Sequence, residues 1–140
     1  MKLFIDTWGW LTLRDKSEIH HEDVKDFYLR FRNDNGTIYA SDYVLDETIT
    51  LLFKRLRFDI AQESLGKIEK AIEEGYLGME WITPERFEKA KTMRKRYQDK
   101  PRISFTDLTS TVVMKEIGVR DVLTADEHFE YVGMGFQRKP

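Results

Sequence analysis

The chain has 140 residues, with 23 lysines and arginines against 25 aspartates and glutamates and a formal net charge of -2. That length fits one domain, residues 1–140, with a core of its own, and the charge balance excludes a polycationic nucleic-acid coat while leaving room for a local basic groove. The absence of cysteine excludes disulfides and thiolate metal sites.

No uncharged run reaches the roughly 20 residues that a membrane-spanning helix needs. The opening segment does not read as a signal peptide, because Asp6 interrupts its apolar run and no small-residue cleavage site follows. A soluble, cytoplasmic protein is expected.

The chain opens on Lys2-Leu3-Phe4-Ile5-Asp6-Thr7-Trp8. Apolar residues without polar alternation suit a strand buried on both faces of a parallel sheet. An aspartate at its carboxyl end sits where open α/β folds place their ligands, although Asp6 can equally cap the next helix. Thr7 to Leu13, with Trp8 and Trp10, reads as a brief helix and Arg14 to Ser17 as a polar loop. From Glu18 to Arg32, the residues Val24, Phe27, Tyr28 and Phe31 recur at helical spacing. Asn33-Asp34-Asn35-Gly36 ends that helix, with Gly36 as the expected left-handed residue. His20 and His21 are adjacent, so they cannot share a helix face as a metal pair, and they read as solvated or capping residues.

Thr37 to Ala40 is a second strand, and Ser41 reads as the N-cap of the helix after it, with Asp42 in the first turn. Val44, Leu45, Ile49, Leu52 and Leu56 mark the buried side of that helix to about Arg57. Asp46 and Glu47 stand side by side off the apolar stripe, and periodicity alone does not say which turns toward a site. Asp59-Ile60-Ala61-Gln62 reads as a capping box for a further helix, striped by Ala61, Leu65, Ile68 and Ile72 and closed by Gly75.

Leu77 to Ile82 is a third strand. Thr83-Pro84 starts a helix that turns Phe87, Ala90, Met93 and Tyr97 inward. Its other side and the following loop carry Lys89, Lys91, Arg94, Lys95, Arg96, Lys100 and Arg102. That face is either solvated or a flank that holds phosphates without selecting sequence. Ile103-Ser104-Phe105-Thr106-Asp107 leads into a helix to Ile117, stopped by Gly118. Thr106 or Asp107 stands at its N-terminus, where free amides and the dipole favour an ionised carboxylate. Val119 to Leu123 is a fourth strand, which Thr124-Ala125-Asp126 ends as Asp6 ends the first. His128-Phe129 follows, and Met134 to Gln137 is a last strand. Strands alternating with helices make this an α/β chain.

The pattern is an acid after the first strand, one on a helix, one at a helix start and one after the fourth strand. Carboxylates at strand ends of one parallel sheet converge on one edge, and crowding raises their pKa values unless a divalent cation neutralises them. Oxygen ligands without Cys or a His pair point to Mg²⁺ or Mn²⁺ rather than zinc. Such a cluster is what phosphodiester hydrolysis requires, with cations activating water and stabilising charge on the leaving oxygen.

Phe4-Ile5-Asp6-Thr7, Asp46-Glu47, Ser104-Phe105-Thr106-Asp107 and Leu123-Thr124-Ala125-Asp126-Glu127-His128-Phe129 resemble the PIN domain in order, spacing and flanks over nearly the whole chain. The chain looks most like the small VapC-type toxins of prokaryotic toxin–antitoxin pairs. The resemblance implies a PIN-like, Rossmann-like three-layer α/β/α fold with a mostly parallel sheet of four to five strands. It implies a Mg²⁺- or Mn²⁺-dependent endoribonuclease, for which in-line attack of water with departure of the 3′ oxygen is the expected route, giving a 5′-phosphate product. It maps the acids to Asp6, Glu47 rather than Asp46, Asp107 and Asp126, which would be both the metal ligands and the catalytic residues. Thr124 matches the hydroxyl near the metal, Ser104 the serine that often precedes the third acid, and Thr7 is a further supporting hydroxyl. Lys91, Arg94 and Lys95 become candidate contacts to the RNA backbone. A homodimer and a cognate antitoxin, acidic or hydrophobic in its tail, are the implied protein partners.

Trp8 and Trp10 depart from the family, which commonly has small residues there; both read as core or interface tryptophans. His128 reads as structural. The alternatives are an inactive PIN-like module that binds RNA or protein, against which the complete acid set argues, and an RNA-processing nuclease outside any toxin system. A phosphatase or receiver-type domain would need paired acids at the first strand, and Asp6 stands there alone.

Overall fold

The computed structural model describes residues 1–126, 129 and 137–139. The elements follow in the order β1 (Lys2–Ile5), α1 (Thr7–Arg14), α2 (His21–Asn33), β2 (Thr37–Ser41), α3 (Asp42–Arg55), α4 (Phe58–Glu73), β3 (Leu77–Glu80), α5 (Pro84–Arg96), α6 (Phe105–Ile117), β4 (Asp121–Leu123) and β5 (Gln137–Lys139). Among the described residues the sheet has five strands, in the order β3-β2-β1-β4-β5. Every pairing in it is parallel. β1 lies at its centre, which is why Leu3, Phe4 and Ile5 are all fully buried and why that strand needs no polar alternation.

Chain order runs outward from β1 through β2 to β3, then returns across the sheet to β4 on the other side of β1. With right-handed crossovers, this reversal puts the helices before β3 on one face and α5 and α6 on the other, giving three layers. α1 packs on α2 and α3, α3 on α4, and α5 on α6. The reversal also opens a crevice at the carboxyl ends of β1 and β4, the place where such sheets bind ligands. The register sets what meets there: Ile5 lies opposite Leu123, so Asp6 and Thr124 leave their strands side by side. Among the described residues no helix is long and apolar enough to cross a membrane.

Several local expectations are corrected. α2 begins at His21, not Glu18, because the His21 ring is buried and its Nδ1 lies 2.9 Å from the Thr12 carbonyl oxygen; only His20 is exposed. The left-handed residue after α2 is Asn35, with φ of 60°. Gly36 is required for another reason: a Cβ there would stand 2.2 Å from the Phe31 ring. Gly75 and Gly118 do take positive φ, as expected. α4 begins at Phe58 with no side-chain cap, and Asp59 pairs with Arg57 at 3.2 Å instead of capping. On that helix Ser64 is fully buried, while Leu65 and Ile72 are half-buried. Phe87 does not turn fully inward; it lies edge-on to Phe105, with centroids 5.1 Å apart. β3 ends at Glu80, and the amide of Ile82 donates to the Asp42 carboxylate at 2.8 Å. β4 begins at Asp121 and β5 occupies Gln137–Lys139; of the last strand expected from sequence, residues 134–136 lie outside the described residues, as does His128.

Candidate active site

Asp6 ends β1 and begins α1, and its two oxygens are differently employed. Oδ1 accepts the Gly9 amide at 3.1 Å, capping α1. Oδ2 accepts the Thr124 hydroxyl at 2.5 Å, across the crevice from the end of β4. The capping role and the strand-edge role therefore coexist in one buried side chain. The Thr124 hydroxyl also accepts the Asp126 amide at 2.9 Å, which ties the loop after β4 to the Asp6 carboxylate.

Glu47 reaches the same place from α3, where its Oε2 accepts the Thr7 hydroxyl at 3.2 Å. Asp46, one residue earlier, does not line the pocket described below. Asp107 stands in the first turn of α6, whose N-cap is Ser104 rather than Thr106 or Asp107: the Ser104 hydroxyl accepts the Asp107 amide at 3.0 Å. The helix N-terminus thereby points amides and the positive end of its dipole at this edge of the sheet.

Asp6, Glu47, Asp107 and Asp126 line one pocket of about 380 Å³, together with Thr7, Ser104 and Thr106. Burial pushes the Asp6 carboxyl up from 3.8 to about 7; the bonds from Thr124 and Gly9 oppose this, and the charges of Asp107 and Asp126 add to it. Asp107 is raised to about 6, first by burial and then by the neighbouring Asp126 carboxylate, against the lowering effect of Ser104. Crowded acids of this kind hold protons that a cation would displace.

The donors fit a hard divalent cation, being carboxylate and hydroxyl oxygens with no thiol. Among the described residues, however, no three His, Asp or Glu side chains already stand close enough together to hold an ion. The bonds from Thr124 and Thr7 hold Asp6 and Glu47 in their present positions.

Of the basic candidates, Arg94 donates to the carbonyl oxygens of Ile103, Tyr97 and Lys100 and so clamps the loop that delivers Ser104 and Asp107. Lys91 pairs with Glu88 at 3.1 Å on α5, and Lys95 is exposed on the same helix; neither lines the pocket. The arginines that do line it are Arg102 and Arg55, the latter paired with Glu18 at 3.2 Å. Arg55 was legible in principle, since it lies eight residues after Glu47 and so on the same side of α3. Trp8 also lines the pocket, whereas Trp10 is buried in the core. A larger cavity of about 520 Å³, lined by residues of α1, α2 and α4, lies apart from the acids.

The family model of the PIN domain matches residues 3–134. Among solved structures, the chain is similar to Mycobacterium tuberculosis VapC20, a Sarcin-Ricin loop cleaving toxin, with 26% identity and a TM-score of 0.76 over 94% of this chain and 95% of that one. It also resembles VapBC2 from Rickettsia felis, bound to a DNA fragment from its promoter, with 16% identity and a TM-score of 0.70 over 99% and 98% of the two chains. DNA-bound VapBC from Salmonella typhimurium gives 16% identity and a TM-score of 0.67 over 99% and 97%. At that identity the last two speak for the fold alone. No curated protein sequence matches the chain.

Proposed function

The chain belongs to the PIN domain family, and from that premise we propose that it is a metal-dependent endoribonuclease acting as the toxin of a toxin–antitoxin pair. The observation that carries the reading is the meeting of Asp6, Glu47, Asp107 and Asp126 around one pocket at the crevice beside β1. The similarity to VapC20, which cleaves the Sarcin-Ricin loop, supports RNA as the substrate class. That VapC20 is a toxin supports an antitoxin as partner, and the VapBC complexes share the fold.

In this reading the four acids would hold one or two divalent cations, Mg²⁺ or Mn²⁺, which would supply Lewis-acid charge at the phosphodiester and lower the pKa of water. Thr124 fixes the Asp6 carboxylate and the Asp126 loop relative to each other. Ser104 fixes the first turn of α6 and with it Asp107. Thr7 orients Glu47. Water attacks phosphorus in line, the bond to the 3′ oxygen breaks, and the product carries a 5′-phosphate. No base other than the carboxylates is needed. Arg102 and Arg55 stand at the pocket to meet flanking phosphates, with Lys91 and Lys95 of α5 as more distant contacts. A homodimer in the cytoplasm completes the proposal.

The purified protein is expected to cleave RNA with Mn²⁺, to stop with EDTA and to resume when Mn²⁺ is returned. Asp107→Asn should abolish cleavage while leaving the fold intact, because removing one crowded acid relieves repulsion. Metal-dependent cleavage by that variant overturns the assignment, and RNA binding by the wild type without any cleavage favours the inactive-module alternative. The toxin role is tested by the adjacent reading frame: a small DNA-binding protein encoded there should co-purify with this chain and suppress its activity.

A further inference from the structure

Trp8 and Trp10 stand two residues apart on α1 and have different surroundings. Trp10 is core, with 2% of its surface exposed. Trp8 is half-buried, and its side chain is shared by two cavities. On one side lies the acid pocket; on the other lies an open cavity of about 1090 Å³, bordered by α2 and by Thr124 and Ala125 at the end of β4. The two spaces have Trp8 in common, and Thr124, which borders the second, donates through its hydroxyl to Asp6 in the first. The His20 ring extends the aromatic surface, its centroid 6.2 Å from that of Trp8 and its plane tilted by 53°.

The second cavity has room for a nucleobase and the wrong charge for a phosphate. Asp23 and Asp26 line it beside Arg30, with Asn33 supplying an amide. Such groups offer donors and acceptors to a base edge, whereas the two carboxylates repel a phosphate. RNA recognition of this type relies on an unstacked base splayed onto an aromatic ring and hydrogen-bonded along its edge.

We propose that Trp8 is the substrate-reading residue of this site: the base next to the cleaved phosphodiester stacks on its indole and lodges in the cavity bordered by α2. The inference rests on the nuclease reading and adds to it a binding subsite and its ligand, a single unpaired nucleotide.

The experiment compares wild type, Trp8→Ala and Trp8→Phe on a short RNA pool of randomised sequence and on methyl p-nitrophenyl phosphate, a phosphodiester without a base, both with Mn²⁺. Trp8→Ala should raise KM for RNA by about five- to a hundredfold, the range of one base–aromatic stack. It should also flatten the preference for the base beside the cut, with kcat little changed. Trp8→Phe, with a smaller ring, should show a lesser rise, and it serves alone if the alanine variant does not fold. Because Trp8 also lines the acid pocket, hydrolysis of the small diester serves as the reference, and the loss on RNA should exceed any loss on it at least fivefold in Trp8→Ala. An unchanged KM and base preference overturns the proposal, as does an equal loss on both substrates, which would make Trp8 structural. If the wild type cleaves neither substrate, the nuclease reading fails separately. The stack is then decided by indole fluorescence: hexauridylate quenches wild type more than Trp8→Phe if the base lies on Trp8, and equally if it does not.

Discussion

Asp6 serves two structural partners through two oxygens, and its burial gives the folded protein a pH dependence of definite sign. Its carboxyl is raised from 3.8 to about 7, so the folded chain keeps a proton that the unfolded chain has already released. Without divalent cations, stability should therefore fall as pH rises between those two values and level off above them. Asp107, raised to about 6, contributes to the same slope. Asp6→Asn keeps an acceptor for the Gly9 amide and loses the titration. Thermal melts in EDTA should show it more stable than wild type above neutral pH, with the difference vanishing in acid; parallel curves for the two proteins would refute this. The same scale separates Asp46 from Glu47 by their surroundings. Both are exposed, and only Glu47 meets Thr7 in the pocket. RNA cleavage assays should find Glu47→Gln inactive and Asp46→Asn close to wild type. The helical period could not separate them, since both lie off the buried stripe; a partner forty residues away in sequence does so.

Among the elements, α1 is held tightly against the sheet at Gly9. It starts directly after β1, with Asp6 as both strand end and helix cap. Gly9 then faces the sheet so tightly that a Cβ would stand 2.7 Å from both Ile5 Cγ2 and the Leu123 carbonyl oxygen. The carbonyl belongs to the strand that leads into Thr124 and cannot swing aside. Gly9→Ala should destabilise the protein by about 1–3 kcal/mol, the usual cost of overpacking, as read by urea denaturation. It should also disturb the Asp6–Thr124 contact and reduce cleavage more than its stability loss explains. Elements with strong local signals were legible: Ser41 and Thr83 cap their helices by accepting the amides of Val44 and Arg86. Elements decided by packing were not. The start of α4 has no side-chain cap, its Asp59 being paired with Arg57, and the N-cap of α6 fell to Ser104, because several hydroxyl and acidic residues in that run can each offer a cap and only the docked helix selects among them.

For the whole molecule, a net charge of -2 offers RNA no general attraction, so affinity must come from local cations against nearby acids. Arg55 and Arg102 at the pocket are the contacts expected to neutralise phosphates. In the Asp107→Asn background, replacing either with alanine should make RNA binding less salt-dependent, reducing the slope of log K against log salt by about 0.7 per arginine. Fluorescence anisotropy across a salt series measures this, and an unchanged slope in both variants would place the backbone contacts elsewhere. Arg94→Ala is expected to act otherwise, through the loop carbonyls that its guanidinium clamps.

What the sequence determined by itself was local: which runs are apolar on both faces, where strands end on an acid, and which donor chemistry those acids offer. These follow from residue type and spacing, and they brought an α/β chain and its candidate carboxylates into view, with Asp46 and Glu47 left open between them. Tertiary structure alone decided how the carboxylates are engaged. The parallel register that sets Ile5 opposite Leu123, and the return of the chain across β1, bring Asp6, Thr124 and Asp126 together from positions more than a hundred residues apart. The same assembly divides two neighbouring tryptophans between core and site, because burial depends on what packs against a side chain and not on its place in the chain.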